Sequence, residues 1–208
     1  MPSREYHEQI WQRVAPGLVP SHFAVRRAFL LGHVSAGQRA LDVGCGEAHF
    51  TAELAYAGLE VVGIDVAEEP LRRARLGHPE LDLRLIHGEA AWPLPDAGFD
   101  VVWAGEVIEH VADTAAWMSE LRRVLRPRGT LLLSTPAHGA LLRLALALSG
   151  RAFAAHFNPV GDHLRFYTQA MLTQLLLEFG FEQVSVGGAG HPAWSRPLLL
   201  GSAVRSRF

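Results

Sequence analysis

The chain contains no lysine. All 19 of its basic residues are arginine, which removes the lysine amine as a catalytic base or Schiff-base former. It has one cysteine, Cys45, so no disulfide can close within the chain, and a reducing, cytoplasmic setting is the expectation. No apolar run reaches the roughly 18–20 residues that span a bilayer. The nearest, Leu141-Leu142-Arg143-Leu144-Ala145-Leu146-Ala147-Leu148, is short and carries Arg143. Residues 1–13 are polar and charged and lack the apolar core of a signal peptide. A net charge of -2 gives no global pull toward nucleic acid or an anionic membrane. There is no internal repeat and no low-complexity tract.

What is present suits one domain over residues 1–208, with 49% hydrophobic content to fill a core. Short apolar runs at 39–43, 60–64, 82–87, 99–103 and 130–134 read as strands. Helix-length segments separate them, including one after Ser21 as N-cap, a short one over 106–111, and a longer one capped by Asp113. Alternation of this kind argues for βαβ units, a parallel sheet and right-handed crossovers. Residues 149–161 read as a loop. Two last runs, 181–186 and 198–204, read as an antiparallel hairpin at the sheet edge.

The first strand ends in Asp42-Val43-Gly44-Cys45-Gly46 and a helical pattern follows. Glycines at this spacing allow a tight turn and close approach of a ligand to backbone N–H groups at a helix start. That alone describes either a nucleotide-type cofactor loop or a simple turn. In an open parallel sheet, however, ligands sit beyond the carboxyl ends of strands. Asp65, Gly88-Glu89-Ala90 and Ala104 to Glu106 also follow strand ends, so four small or polar clusters converge on one edge.

Taken together, these stretches resemble the class I S-adenosylmethionine-dependent methyltransferases of the small-molecule, type 11-like group. Leu41-Asp42-Val43-Gly44-Cys45-Gly46 is similar to the family's first motif and Val62-Gly63-Ile64-Asp65 to its second. Gly88-Glu89-Ala90 through Phe99-Asp100-Val101-Val102 resembles the third region, and Glu106-Val107-Ile108-Glu109-His110-Val111 completes the set with Leu121 to Gly129. The resemblance implies a Rossmann-like, doubly wound α/β fold. Its seven-stranded sheet is mostly parallel with an antiparallel last strand, and helices cover both faces. It implies S-adenosyl-L-methionine as cofactor and S-adenosyl-L-homocysteine as product. Asp42, Gly44, Cys45 and Gly46 would border the methionine portion, Asp65 the ribose hydroxyls, Val66, Glu89 and Ala90 the adenine, and Ala104 the methionine amine. Two departures stand out: Ala48 where many members carry a third glycine, and Glu89 where aspartate is common. A nicotinamide-dependent oxidoreductase would need glycine at His49, and a non-catalytic cofactor-binding protein would share the cofactor motifs.

The expected partner is a small-molecule methyl acceptor with an O, N or C nucleophile, and no nucleic acid. No metal is assigned. His110 and His163 are the candidate bases, since imidazole titrates near neutrality. Residues 1–35 read as a helical lid and 137–167 as a substrate-side insertion.

Overall fold

Strand residues alternate between two sets of partners, and this places one sheet between two layers of helices. The structure, a computed structural model, describes residues 4–88, 91–158, 161, 163–190 and 196–207. Its strands are β1 (Arg39–Val43), β2 (Glu60–Asp65), β3 (Asp82–Leu85), β4 (Phe99–Gly105), β5 (Leu125–Pro136), β6 (Phe181–Ala189) and β7 (Leu198–Arg205). Its helices are α1 (Arg4–Arg13), α2 (Phe23–Leu31), α3 (His49–Tyr56), α4 (Glu68–Gly77), α5 (Thr114–Val124), α6 (Ala140–Leu148), α7 (Gly150–His156) and α8 (Gln169–Glu178).

On one face Leu41, Val43, Val102, Ala104, Leu131 and Leu133 pack with Trp117, Met118 and Leu121 of α5 and with Leu172 and Leu176 of α8. On the other, Ala40, Val101, Trp103 and Leu132 pack with Leu30 of α2 and with Phe50 and Leu54 of α3. Each large side chain buried in these layers contributes about 1.5–3 kcal/mol. A one-residue slip in any central strand would exchange the two sets.

The seven strands lie in the order β3-β2-β1-β4-β5-β7-β6. β1 through β5 pair in parallel, and β7 runs antiparallel between β5 and β6. The expected doubly wound architecture with an antiparallel last strand is the one observed. The chain winds outward from β1 to β3, then returns to place β4 on the other side of β1. The loops after β1 and β4 therefore flank the point where strand order reverses, the usual site of a ligand crevice.

Four local expectations are corrected. Residues 106–111 form turns instead of a helix, because Glu106 takes a left-handed conformation at φ 58°. α2 starts at Phe23 behind a left-handed His22, so Ser21 is not its cap. The expected loop at 149–161 contains α7, whose N-cap Ser149 accepts from the Ala152 N–H at 3.2 Å. β5 begins at Leu125, five residues early, because Leu125 already pairs with Phe99 before a register shift. Asp113 does cap α5, accepting from the Ala116 N–H at 2.9 Å.

Candidate active site

The glycine loop is tied to the end of β2 rather than left free. The N–H groups of Gly44 and Cys45 donate to the Ile64 carbonyl at 2.8 and 3.0 Å. The Gly46 N–H donates to Asp65 Oδ2 at 2.9 Å, and the Ala67 N–H to Asp65 Oδ1 at 2.9 Å. Both glycines are required where they stand. Gly44 has φ 68°, and a Cβ there would lie 2.6 Å from Val107 Cγ2; Gly46 has φ 54°, and a Cβ there would meet the Trp11 ring at 3.0 Å. Ala48 is also left-handed, at φ 64°. The departure from a third glycine thus falls on a backbone that glycine adopts freely and alanine adopts at a cost of about 1–2 kcal/mol.

Between this loop, the turns after β4 and α1 lies a cavity of about 280 Å³. Gly44, Asp65, Val66 and His110 line it among the expected site residues, together with Trp11 and His7 of α1, Glu106, Val107, Trp92 and Trp117. Trp92 is held by α5. Its N–H donates to Glu120 Oε2 at 2.8 Å, and Arg123 bonds the Trp92 and Leu94 carbonyls while pairing with Glu120 and Asp96.

The remaining expected residues are placed differently. Cys45 turns its thiol into the core, where a Cβ on Gly63 would meet its Sγ at 3.0 Å; burial holds that thiol well above its ordinary pKa, so it is inert packing. Ala104 is buried in the layer beneath the site. Asp42 is buried and is not among the residues lining the cavity; it accepts from Thr51 Oγ1 at 2.7 Å. Glu89 and Ala90 lie outside the described residues. His163 does not line the cavity, but its ring centroid is 4.9 Å from that of His110, edge to face. The two candidate bases therefore come together.

Burial pushes the Asp42 carboxyl up to about 7, with the Thr51 hydroxyl and Arg26 opposing. A carboxyl raised in the folded state contributes stability that is full below pH 4 and is lost as pH rises through about 7. Thermal unfolding followed from pH 4.5 to 7.5 should show that loss, and Asp42→Asn should flatten it; an identical slope in the variant would remove Asp42 as its source.

Two buried charged residues that were not among the expected site residues lie close to Glu106 and Asp42. Arg26 is 2% exposed, with its guanidinium 4.6 Å from the Phe50 ring and its field shared among Glu106, Glu109 and Asp42. The clue was an arginine placed on the apolar stripe of α2, three residues after Phe23 and four before Leu30. Glu109 is 1% exposed. Its Oε2 accepts from Thr135 Oγ1 at 2.9 Å, while its Oε1 has no hydrogen-bond partner among the described residues. Burial, then the neighbouring Glu106, pushes its carboxyl up to about 8. Glu106 itself accepts from Ser134 Oγ at 3.0 Å.

Residues 19–186 match the family model described as a methyltransferase domain. The chain is 38% identical over 187 residues to a protein of Mycolicibacterium smegmatis named a probable S-adenosylmethionine-dependent methyltransferase, covering 88% of this chain and 68% of that one. It is 33% identical over 174 residues to the ubiquinone biosynthesis O-methyltransferase of Methylococcus capsulatus, covering 80% and 73%. A solved S-adenosylmethionine-dependent methyltransferase from Mesorhizobium loti shares the fold, with a TM-score of 0.68 at 22% identity over 89% of this chain and 98% of that one. Motifs, strand order, cavity and relatives agree: the chain belongs to the methyltransferase-domain family and is a class I S-adenosylmethionine-dependent methyltransferase.

Proposed function

We propose that this enzyme methylates a hydroxyl oxygen of a small molecule. The observation that carries this reading is one shared cavity. Its wall carries Gly44, Asp65 and Val66 together with Glu106 and His110. The cofactor supplies an activated methyl on a sulfonium sulfur. Gly44 and Gly46 have no Cβ to obstruct its methionine portion. Asp65 has two carboxylate oxygens whose further lone pairs suit the two ribose hydroxyls. Val66 gives the adenine an apolar wall, with Trp92 and Trp117 nearby; Glu89 and Ala90 are assigned to the adenine edge and Ala104 to the methionine amine on resemblance alone.

For an oxygen nucleophile the protein's work is to hold the hydroxyl in line and to draw off its proton. His110 is on the cavity wall and suits this role, with His163 and Glu109 beside it. An amine or carbon acceptor would have less use for that arrangement. The names of relatives at 33–38% identity, ubiquinone biosynthesis O-methyltransferases, support an oxygen acceptor.

α1 acts as the lid in this reading. Glu8 accepts from the Glu68 and Glu69 N–H groups at the start of α4, at 2.8 and 3.3 Å. Arg73 of α4 donates to the Trp11 and Val14 carbonyls at 3.0 Å each and pairs with Glu47 at 2.9 Å. Residues 137–167 form the substrate side, where Leu141, Leu144 and Leu148 are exposed. A cytoplasmic location fits the single cysteine and the lack of a membrane-crossing helix among the described residues.

The test is incubation with methyl-labelled S-adenosylmethionine and a metabolite extract. Label in a small-molecule ether is expected, with His110→Ala losing turnover while keeping cofactor affinity. Cofactor binding with no labelled product from any extract would favour a non-catalytic binding protein.

A further inference from the structure

We infer that Glu120 and Arg123 of α5 are positioning residues for the adenine end of the cofactor, and that they act through Trp92, whose indole they hold in place as cavity wall. Neither residue lines the cavity itself. The inference rests on the reading of that cavity as the cofactor site.

The segment that carries Trp92 is held under local strain. Residues 91–98 form turns and bends with no helix or strand. Two alanines there are left-handed, Ala91 at φ 56° and Ala97 at φ 49°. A residue with a Cβ is disfavoured in that conformation and keeps it only where surrounding bonds over-determine it. Those bonds come from α5. Glu120 Oε2 accepts from the Trp92 N–H at 2.8 Å, one residue after Ala91. The Arg123 carbonyl accepts from the Ala97 N–H at 2.8 Å.

The guanidinium of Arg123 completes the brace. It has five N–H donors in a fixed fork, and each has a partner here. Two go to the Glu120 carboxylate at 2.9 and 2.8 Å. One goes to the Trp92 carbonyl at 3.0 Å, one to the Leu94 carbonyl at 2.8 Å and one to Asp96 Oδ1 at 2.5 Å. The same pairing holds the Glu120 carboxyl below its ordinary pKa, so it is an anion at neutral pH.

The brace ends in the cavity. The Trp92 indole N–H donates to the Gly88 carbonyl at 3.1 Å, so the residue is fixed at its backbone and at its ring edge. Gly88 and Trp92 both line the cavity, together with Val66, Ile86 and Trp117. Trp117 stands on α5 three residues before Glu120, so adjacent turns of one helix supply one ring of the wall and the anchor of the other. A line of hydrogen bonds thus runs from Arg123 to Glu120, to the Trp92 backbone, and through the indole to the first residue of the Gly88-Glu89-Ala90 motif. A flat apolar wall suits a flat base only while its plane is held. A freed loop and ring would have to be ordered again at each binding event, which lowers affinity.

The experiment is calorimetric titration of the full chain and its variants with S-adenosylhomocysteine, with Tm read in parallel. Glu120→Ala should weaken binding by about ten-fold. Arg123→Lys keeps the charge but not the fork, and should weaken it by about three-fold or more. The Arg123 side chain is 28% exposed, so its variant keeps the test readable if the Glu120 variant folds poorly. Glu120→Gln retains an oxygen for the Trp92 N–H and should recover most of the affinity lost in alanine. In a Trp92→Leu background, adding Glu120→Ala should cost less than about two-fold, because the two residues act as one unit. Wild-type affinity in both Glu120→Ala and Arg123→Lys, or a ten-fold loss that persists in the Trp92→Leu background, would overturn the inference. A wild-type chain that does not bind S-adenosylhomocysteine would overturn the cofactor reading, and the inference with it.

Discussion

Asp65→Ala should weaken binding of S-adenosylhomocysteine by about 100-fold or more. Each Asp65 oxygen already accepts one backbone N–H, from Gly46 and from Ala67. A carboxylate has about four lone-pair sites, so one remains on each oxygen. Two hydroxyls bound there would make two charge-assisted hydrogen bonds, each worth about 1.5–3 kcal/mol, and every 1.4 kcal/mol is a factor of ten in affinity. The truncation has a second effect on the same loop. It leaves the Gly46 and Ala67 N–H groups without their acceptor, so the segment that should meet the cofactor loses its anchor to β2. Asp65→Asn separates the two contributions. It keeps one carbonyl acceptor but turns an N–H₂ toward a backbone donor, so its affinity should fall between wild type and alanine. Calorimetry reads all three, and an alanine variant with wild-type affinity would remove Asp65 from the site.

Arg26→Ala should cost about 3–5 kcal/mol of folding stability, the range for deleting one partner of a buried charge cluster. For a domain of this size that is a fall of roughly 10 °C in Tm. The guanidinium does three things at once. It packs over Phe50 and Trp103, at 4.6 and 5.8 Å from their ring centroids. It donates to the Ser21 carbonyl at 3.2 Å. It also opposes the carboxylates of Glu106, Glu109 and Asp42, while burial lowers its own pKa. With the cation gone, those carboxyls stay folded most easily when protonated, so the deficit should widen from pH 6 to pH 8. Arg26→Met restores much of the volume without the charge. It should recover stability at pH 6 and lose it again at pH 8. Denaturant unfolding at the two pH values checks this, and an alanine variant as stable as wild type at both would contradict it.

These two residues also mark how far the sequence could be read. Asp65 was legible because the signal is local: an apolar run, an acid at its end, and a glycine loop one βαβ unit earlier. The strands were legible for the same reason, since period-two burial on a two-faced sheet leaves few alternatives. Arg26 was not, because its partners lie about 16–83 residues away on β1 and after β4, and only the tertiary fold brings α2 over them. The turn at Glu106 was misread as helix because the apolar spacing of Val107, Ile108 and Val111 suits either state. What decides it is the left-handed φ at Glu106, fixed by its N–H donating to the Ser134 carbonyl at 2.9 Å. The meeting of His110 with His163 depends on two backbone bonds to the Glu109 carbonyl across more than fifty residues. No spacing rule contains that information. Cys45 shows a further limit: its place in the motif speaks for its backbone, while its thiol is buried against Gly63, a contact between β2 and the loop that no spacing rule contains.

The most direct test of the account is calorimetric titration of the wild-type chain with S-adenosylhomocysteine and, separately, with NADH. The cavity between the glycine loop, Asp65 and α1 predicts saturable binding of S-adenosylhomocysteine in the micromolar range (about -8 kcal/mol) and no heat with NADH. No heat with S-adenosylhomocysteine, together with saturable binding of NADH, would contradict it.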